Sequence, residues 1–362
     1  LIAPITSRGS PLEFTLPRLL NAGPFDPPPE TIWAPGVNVN NSATRDSYAM
    51  RLTTQLFLPM RFYYATDEHF FYSMVRTSKQ PRLEGIRVFF SSGLAAPIGA
   101  SAVALRDIGA TFALRDFEGR VPPVVTSLPG SPTTGFTSLT EAFAYLEANP
   151  TKTCWLAAVD NPAFPAFKKT NEAAVLLILA HPSYRTTRKP IGHIHRPISA
   201  PLTKDGRALP SAERVNAFAD TLTRAADSGG LTPAQIGTLV HDAGVPSDAG
   251  AERAAMLAPA MTRVTPQIEF IRDALNLPAR LGDLGATTTH YNLLIGLFAA
   301  HTRNHPVLVA GTTDANAAHA VLIRPPEGHV PPDPKRAFPK ARAEHEFSRM
   351  WWGVRLDGKP DY

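Results

Sequence analysis

Residues 138–180 read SLTEAFAYLEANPTKTCWLAAVDNPAFPAFKKTNEAAVLLILA, and the order of elements in this stretch indicates the fold. Its first part has the i, i+3, i+4, i+7 spacing of an amphipathic helix, at Leu139, Ala142, Phe143 and Leu146. Asn149-Pro150 ends this helix, because proline cannot continue it. The apolar run 154–159 then ends at Asp160, and a second apolar run covers 175–180. Such runs are typical of strands buried on both faces, which require helices on either side.

The same order recurs in residues 289–323, which read THYNLLIGLFAAHTRNHPVLVAGTTDANAAHAVLI. A helix ends at His305-Pro306, the apolar run 307–310 follows, and Asp314 precedes a last apolar run at 320–323. The two copies lie too far apart for a solenoid. The repeat predicts an α/β fold of two pseudo-symmetric halves, each a helix-flanked sheet, in which Asp160 and Asp314 occupy equivalent strand ends. The alternative is that two unrelated helix-Pro-strand units recur by chance.

Local patterns predict further elements and boundaries. Ile86 to Phe90 favours a strand, and the segment 188–210 favours a polar crossover. Helices are predicted over the following ranges: 212–226, 232–242, where Thr232-Pro233 is a good helix start, and 265–275. The predicted organisation is an N-terminal half at 1–190 with an irregular, proline-rich start, a C-terminal half at 191–330 and a tail at 331–362.

Composition excludes several classes of protein. The chain has 362 residues, 44% hydrophobic and 19% charged, which is enough to bury a large core. The net charge is +5, but no run of five Lys or Arg occurs, which argues against nucleic-acid binding. No stretch of 18 apolar residues is present, so no transmembrane span is expected in this chain. Because the sequence begins at Leu1, we expect that an upstream segment was removed, and an anchor or signal there stays open.

The repeat resembles the thiolase-like fold of condensing enzymes. Asn171-Glu172-Ala173-Ala174 is similar to the stretch that precedes a strand in ketosynthases, and 285–294 is similar to their Gly-His helix start. These enzymes need a thiolate at a helix N-terminus and two histidines. Here the matching helix start, 133–138, has no cysteine, and Ala286 stands at the matching histidine position. Cys154, the only thiol, is predicted to be an inert core residue.

A second resemblance is to the type VI secretion lipase adapter proteins. Their pattern of helix ends, strand ends and a late Gly-Asp-x-Gly turn is matched by Asn149-Pro150, Val159-Asp160, 177–181, Gly282-Asp283-Leu284-Gly285 and 322–326. This resemblance implies a non-enzymatic adapter, or chaperone, without a cofactor. It would bind a phospholipase effector in the bacterial donor cytoplasm and help load it onto the secretion spike protein. Two alternatives stay open: a thiolase-like condensing or acyl-binding enzyme with non-standard residues, and a generic interaction protein.

Other candidate sites were weighed by residue type. His193 and His195, or His301 and His305, could ligate a metal, but no acidic residue completes either pattern, and we expect no metal site. Asp160 and Asp314 are expected to cap turns and not to bind a ligand. The aromatic residues Phe70, Phe71, Tyr72, Trp351 and Trp352 are candidate partner-binding residues, with core packing as the alternative.

Overall fold

The computed structural model describes residues 87–93, 124–160, 173–184, 190–244, 247–282 and 284–331. Five helices are found there: α1 (Thr134–Ala148), α2 (Ser211–Asp227), α3 (Asp248–Val264), α4 (Leu277–Leu281) and α5 (Thr288–Arg303). The long strands are β1 (Arg87–Ser92), β2 (Val124–Pro129), β3 (Thr153–Asp160), β4 (Ala173–Ala180), β11 (Val307–Gly311) and β12 (Ala317–Arg324). The short strands are β5 (His193–Ile194), β6 (Ile198–Pro201), β7 (Thr203–Lys204), β8 (Arg207–Ala208), β9 (Thr238–His241) and β10 (Leu275–Asn276).

Two sheets have the same core topology. The first has the order β2-β1-β3-β4, and the second contains the order β10-β9-β11-β12. In each sheet the first three strands are parallel and the last strand is antiparallel to its neighbour. In each, too, a long helix precedes the last two strands, α1 in the first and α5 in the second. The prediction of two topologically equivalent halves is therefore confirmed.

The two central helices lie between the sheets. One apolar core joins inward-facing residues of β3 and β4 to α1, α5 and the inner face of β11 and β12. Twelve of the sixteen residues of α5 are buried, because both sheets and α1 pack against it. A second core lies on the outer face of the second sheet, where α2 and α3 pack. None of the helices in the described ranges has the length and apolar character needed to cross a membrane.

The strands of the repeat are central, as predicted. All eight residues of β3 and all five of β11 are buried, and both strands have a partner on each side. Leu156 and Val309 occupy equivalent ladder positions, each beside a core residue of the neighbouring parallel strand. Counting along the ladders from these two residues matches Ala173-Ala174 with Ala317-Ala318, as predicted. The same count matches Asp160 with Thr313, so the predicted equivalence of Asp160 and Asp314 was wrong by one residue.

Two predicted helices are absent from the described residues of their segments. Thr232-Pro233 does start a helical turn, but the turn is only the 3-10 segment Pro233–Gln235. The β-branched and apolar residues of β9 then form a strand between β10 and β11, because parallel pairing buries them completely. Residues 266–274 form turns that leave Ile271 exposed. The crossover also contains short strands, of which β6 pairs with β12. Helix α2, by contrast, matches its prediction.

Candidate functional site

The amino ends of the two central helices meet at the carboxyl ends of the central strands. α1 begins one residue after Thr133, and α5 follows a 3-10 turn at Gly285–Thr287. The backbone N–H of Thr289 donates to the carbonyl of Pro132, which joins the two helix starts. Ligands of α/β proteins bind preferentially at such strand ends and helix N-termini. This junction is therefore the candidate site, and its polar side chains decide what it can do.

Asp160, the last residue of β3, lies at the edge of the first sheet that faces the junction. The carboxylate is 6% exposed, and its Oδ2 accepts a hydrogen bond of 2.5 Å from the backbone N–H of Ala286. A side chain at Gly93 or Gly285 would overlap this carboxylate, so both positions need glycine for the close approach. Asp160 thus caps the start of the opposite half's central helix. The expected structural role is therefore observed, but in a different form: Asp160 binds a backbone N–H 126 positions away, and the turn that follows it lies outside the described residues.

Asp242 is a second carboxylate at a strand end, and the sequence analysis did not identify it. It is completely buried just after β9. It accepts hydrogen bonds from the Thr312 backbone N–H at 2.6 Å, the Thr312 hydroxyl at 2.7 Å and the Thr313 hydroxyl at 3.0 Å. Burial raises the pKa of Asp242, and the hydrogen bonds from the two threonines oppose that rise. The carboxylate therefore fixes the turn after β11.

Ser138 and His290 form a buried pair between the central helices. Both side chains are completely buried, and His290 Nε2 lies 3.3 Å from Ser138 Oγ. The Ser138 hydroxyl also lies 3.0 Å from the Gly135 carbonyl, to which it donates, and the tautomer of His290 sets which atom donates between Oγ and Nε2. Burial lowers the pKa of His290 to about 4, which keeps the ring neutral at pH 7. The pair links the amino-terminal turns of the two central helices.

His319 lies on β12 beside the start of α1. Its ring stacks on Phe136 with centroids 4.8 Å apart, and the Phe136 ring lies against Gly311. Phe136 is 2% exposed, so the first turn of α1 inserts into the second sheet. This contact is the counterpart of the Asp160 cap. The first sheet binds the start of α5 through Asp160, and the second sheet contacts the start of α1 through His319 and Gly311.

A hydrogen-bonded row of serine, histidine and aspartate passes through His319. Ser199 Oγ lies 2.8 Å from His319 Nδ1, and Asp314 Oδ2 lies 3.0 Å from Nε2. In hydrolytic triads the serine faces Nε2 and the aspartate faces Nδ1, so the row is reversed. Ser199 and His319 are also direct partners in the β6–β12 ladder. Burial acts to raise the pKa of Asp314, but the hydrogen bond from His319 and those from the backbone N–H groups of Asn316 and Ala317 outweigh it and lower that pKa. Asp314 thus holds a turn, as expected.

The only thiol lies far from the helix starts. Cys154 is completely buried at the amino end of β3, six residues from Asp160, which is about 20 Å along a strand. Burial raises its pKa to about 12, against the lowering effect of Arg87, so the thiolate is not populated at neutral pH. The prediction of a core cysteine is confirmed.

The histidine pairs do not form a cluster of ligands. Within the described ranges no three His, Cys, Asp or Glu side chains converge in a way that could hold a metal ion. His305 Nε2 lies 2.8 Å from the Thr238 hydroxyl, which ties the end of α5 to β9. His193 is on β5, where burial and then Arg324 lower its pKa. The five aromatic candidates for partner binding, Phe70, Phe71, Tyr72, Trp351 and Trp352, lie outside the described residues.

Several polar groups of the junction bind one another, whereas both side-chain polar atoms of Asn292, near the start of α5, are buried without a hydrogen-bond partner among the described residues. The carboxylates of the junction accept backbone N–H and threonine hydroxyl donors, and its Ser–His pair is sealed between helices. Sequence analysis missed His290 and Asp242. The signal for His290 was a histidine in the first turn of the second repeat helix. The signal for Asp242 was an acidic residue soon after Leu239-Val240, but this segment was predicted to be a helix and not a strand.

Part of the chain is similar to a known protein family. Residues 191–325 match the family described as "Type VI lipase adapter protein Tla3, C-terminal". This range begins just before β5 and ends just after β12, so it covers the second sheet with α2, α3 and α5. No curated protein sequence matches the chain.

Solved structures similar to the chain include ketosynthases. The oxazolomycin ketosynthase domain OzmH KS8 of Streptomyces albus JA3453 has 12% identity and a TM-score of 0.54, over 84% of this chain and 88% of that one. The ketosynthase of module 1 of the bacillaene synthase of Bacillus amyloliquefaciens FZB42 has 10% identity and a TM-score of 0.53, over 78% and 63%. The ishigamide ketosynthase/chain length factor has 16% identity and a TM-score of 0.50, over 80% and 86%. The predicted thiolase-like α/β fold is confirmed, and at these identities the similarity concerns the fold alone.

Proposed function

We propose that this protein is a non-enzymatic adapter that binds a type VI secretion phospholipase effector in the donor cytoplasm and helps load it onto the secretion spike protein. The observation that carries the proposal is the match of residues 191–325 to the type VI lipase adapter family. The range matched contains a complete sheet with its helices, so it concerns a folded unit and not a short motif.

The chemistry of the junction supports a role without catalysis. Condensing enzymes activate a thiolate at the start of the first central helix. Here that helix start reads Thr133-Thr134-Gly135, and the only thiol is buried at the other end of the sheet. Ala286, at the position that resembles the histidine of those enzymes, offers its backbone N–H to Asp160. The hydrogen bonds from Ala286 to Asp160 and from Thr289 to Pro132 join the two halves at this junction, which leaves other surfaces to bind a partner.

Co-purification with lipases of the same organism tests the adapter proposal. The tagged protein should retain one lipase whose gene lies near a type VI spike gene, and should not retain a lipase encoded elsewhere. Failure with every lipase of the genome would refute the proposed partner and leave the generic interaction protein.

Aromatic truncation tests whether the predicted anchors take part in that complex. Trp351→Ala or Phe71→Ala should weaken binding by about 1 to 4 kcal/mol if these rings are interface anchors. Ile271→Ala, which shortens an exposed aliphatic side chain, is the control and should leave the affinity unchanged. If the aromatic variants lower the melting temperature instead, the rings belong to the core.

The ketosynthase-like fold motivates one alternative function, a condensing or acyl-binding enzyme. Incubation of the native protein with malonyl and acyl thioesters, followed by intact-mass measurement, distinguishes the two functions. We expect no covalent adduct and no decarboxylation, because the helix start that matches the nucleophile position has no cysteine and Ala286 stands at the matching histidine position. An acyl adduct on any residue would support the enzyme and contradict the adapter proposal.

A further inference from the structure

The chain leaves the second sheet through a short segment that is fastened to the end of α5. Residues 325–331, here called the strap, follow β12 and contain a turn in which the His329 N–H donates to the Pro326 carbonyl at 3.1 Å. The turn brings the His329 ring onto His301, with centroids 4.0 Å apart and an interplanar angle of 34°. His329 Nε2 also lies 2.7 Å from the carbonyl oxygen of His301.

This contact satisfies a carbonyl that the helix cannot satisfy itself. The last four carbonyls of a helix lack an intrahelical partner, and His301 lies in the last turn of α5. The ring Nε2–H of His329 supplies the donor. The same side chain therefore caps α5 and lies against the His301 ring. The same stacking places two ionisable rings at a separation where two positive charges repel.

Other charges around the pair are mixed. Arg303 and His305 follow His301 at the helix end, and Arg324 and Glu327 lie on either side of the start of the strap. His193 on β5 is the strand partner of Arg324 on β12, and the charge of Glu327 also acts on it. His195 lies near Arg324. Glu327 acts on His193 and Asp273 acts on Arg303, and among the described residues no carboxylate contributes to the pKa shift of His301.

We propose that the His301–His329 pair is a proton-sensitive clip, which holds the strap against α5 at neutral pH and releases it in mild acid. When both rings are neutral, His329 can lie against the His301 ring and donate to the His301 carbonyl at the same time. Protonation of both rings adds like charges at 4.0 Å, and undocking of the strap relieves that repulsion. Release detaches residues 325–331 from the end of α5.

The direction follows from the protonation equilibrium of His301. Burial, and then the nearby His329, lower the pKa of His301, while a backbone hydrogen bond with Ile191 opposes them. Undocking removes the second cause, so the released state binds more protons than the docked state. Docking is therefore favoured above the ordinary histidine pKa of about 6.5 and weakens as the pH falls below it.

Hydrogen exchange of the strap, measured on the full chain, tests the clip. After correction for intrinsic rates, exchange at the His329 amide should rise at least about fivefold between about pH 7.5 and about pH 5.5. Peptides from β9, which is completely buried, report global unfolding and should stay protected at both values. Unchanged exchange of the strap would overturn the proposal.

Matched variants separate the charge from the contact. His329→Gln keeps an amide donor for the His301 carbonyl but cannot be protonated, so its strap should stay protected at both pH values. His329→Ala should exchange rapidly at both. His181→Gln, at a histidine whose ring pairs with Ser183 in the first half, should keep the wild-type response. A pH response that persists in His329→Gln would also refute the clip.

Discussion

Substitution of Gly311 by alanine tests how the two halves are joined. A Cβ atom at this position would lie 2.7 Å from Cζ of Phe136 and closer still to Cε2. The Phe136 ring cannot move away freely, because it is 2% exposed and stacks on His319. The backbone of Gly311 is an ordinary strand, so the cost comes from overlap and not from backbone strain. Overpacking of this kind costs about 1 to 3 kcal/mol.

Removal of the ring should remove that cost. Phe136→Ala alone should lower the free energy of unfolding by about 3 to 5 kcal/mol, because it leaves a cavity at the junction. In the Phe136→Ala background, Gly311→Ala should be neutral or slightly stabilising, since its methyl group fills part of that cavity. The predicted coupling energy is therefore about 1 to 3 kcal/mol.

Denaturant unfolding of the four proteins in this cycle gives the coupling energy. Circular dichroism reports the secondary structure, and equal m-values show that the same transition is compared. Gly206→Ala measures the effect of an alanine for a glycine with no atom near its Cβ, although its φ of +73° adds backbone strain. Equal costs of Gly311→Ala in both backgrounds would refute the insertion of α1 into the second sheet.

The remaining predictions concern the core, the thiol and the buried histidine. Val175→Asp and Leu322→Asp should each unfold the protein, because both sites are fully buried. An unpaired charge there costs several kcal/mol, against a total free energy of unfolding of about 5 to 15 kcal/mol. The control is Val330→Asp, at an 81% exposed site, which should not change the melting temperature. Cys154 should react with a thiol reagent only in denaturant, since it is buried with a pKa of about 12; rapid labelling of the native protein would contradict this. The pKa of His290 is about 4 in the folded protein against an ordinary 6.5, so unfolding takes up a proton and stability should fall as the pH drops from 6.5 to 4, by about 3 kcal/mol in total. His290→Gln should flatten that part of the stability profile measured by urea unfolding.

The sequence alone was sufficient to identify the repeated unit. Leu139, Ala142 and Leu146 are buried on one face of α1, as their spacing predicts. The apolar runs became fully buried central strands in both sheets. These features are predictable because burial on one face of a helix, or on both faces of a strand, constrains residues that are neighbours along the chain.

Segments with mixed signals were less predictable. The segment 232–242 starts with a good helix cap and continues with β-branched residues, and the choice depended on the place available between β10 and β11. Residues 265–275 have helical spacing, but Ile271 is 57% exposed in a turn. Local preference is weak, and tertiary pairing overrides it.

The chemistry of the candidate site depended on tertiary structure. The sequence showed an aspartate after each repeat strand and a single cysteine, and it predicted a capping role for the aspartates. Only the structure shows that Asp160 binds the N–H of Ala286 in the other half, that Asp314 holds His319, and that His290 faces Ser138. Each contact joins residues that are brought together by the packing of two sheets around two helices. Periodicity records which side of an element is buried, but a hydrogen bond between distant side chains depends on where that burial places them.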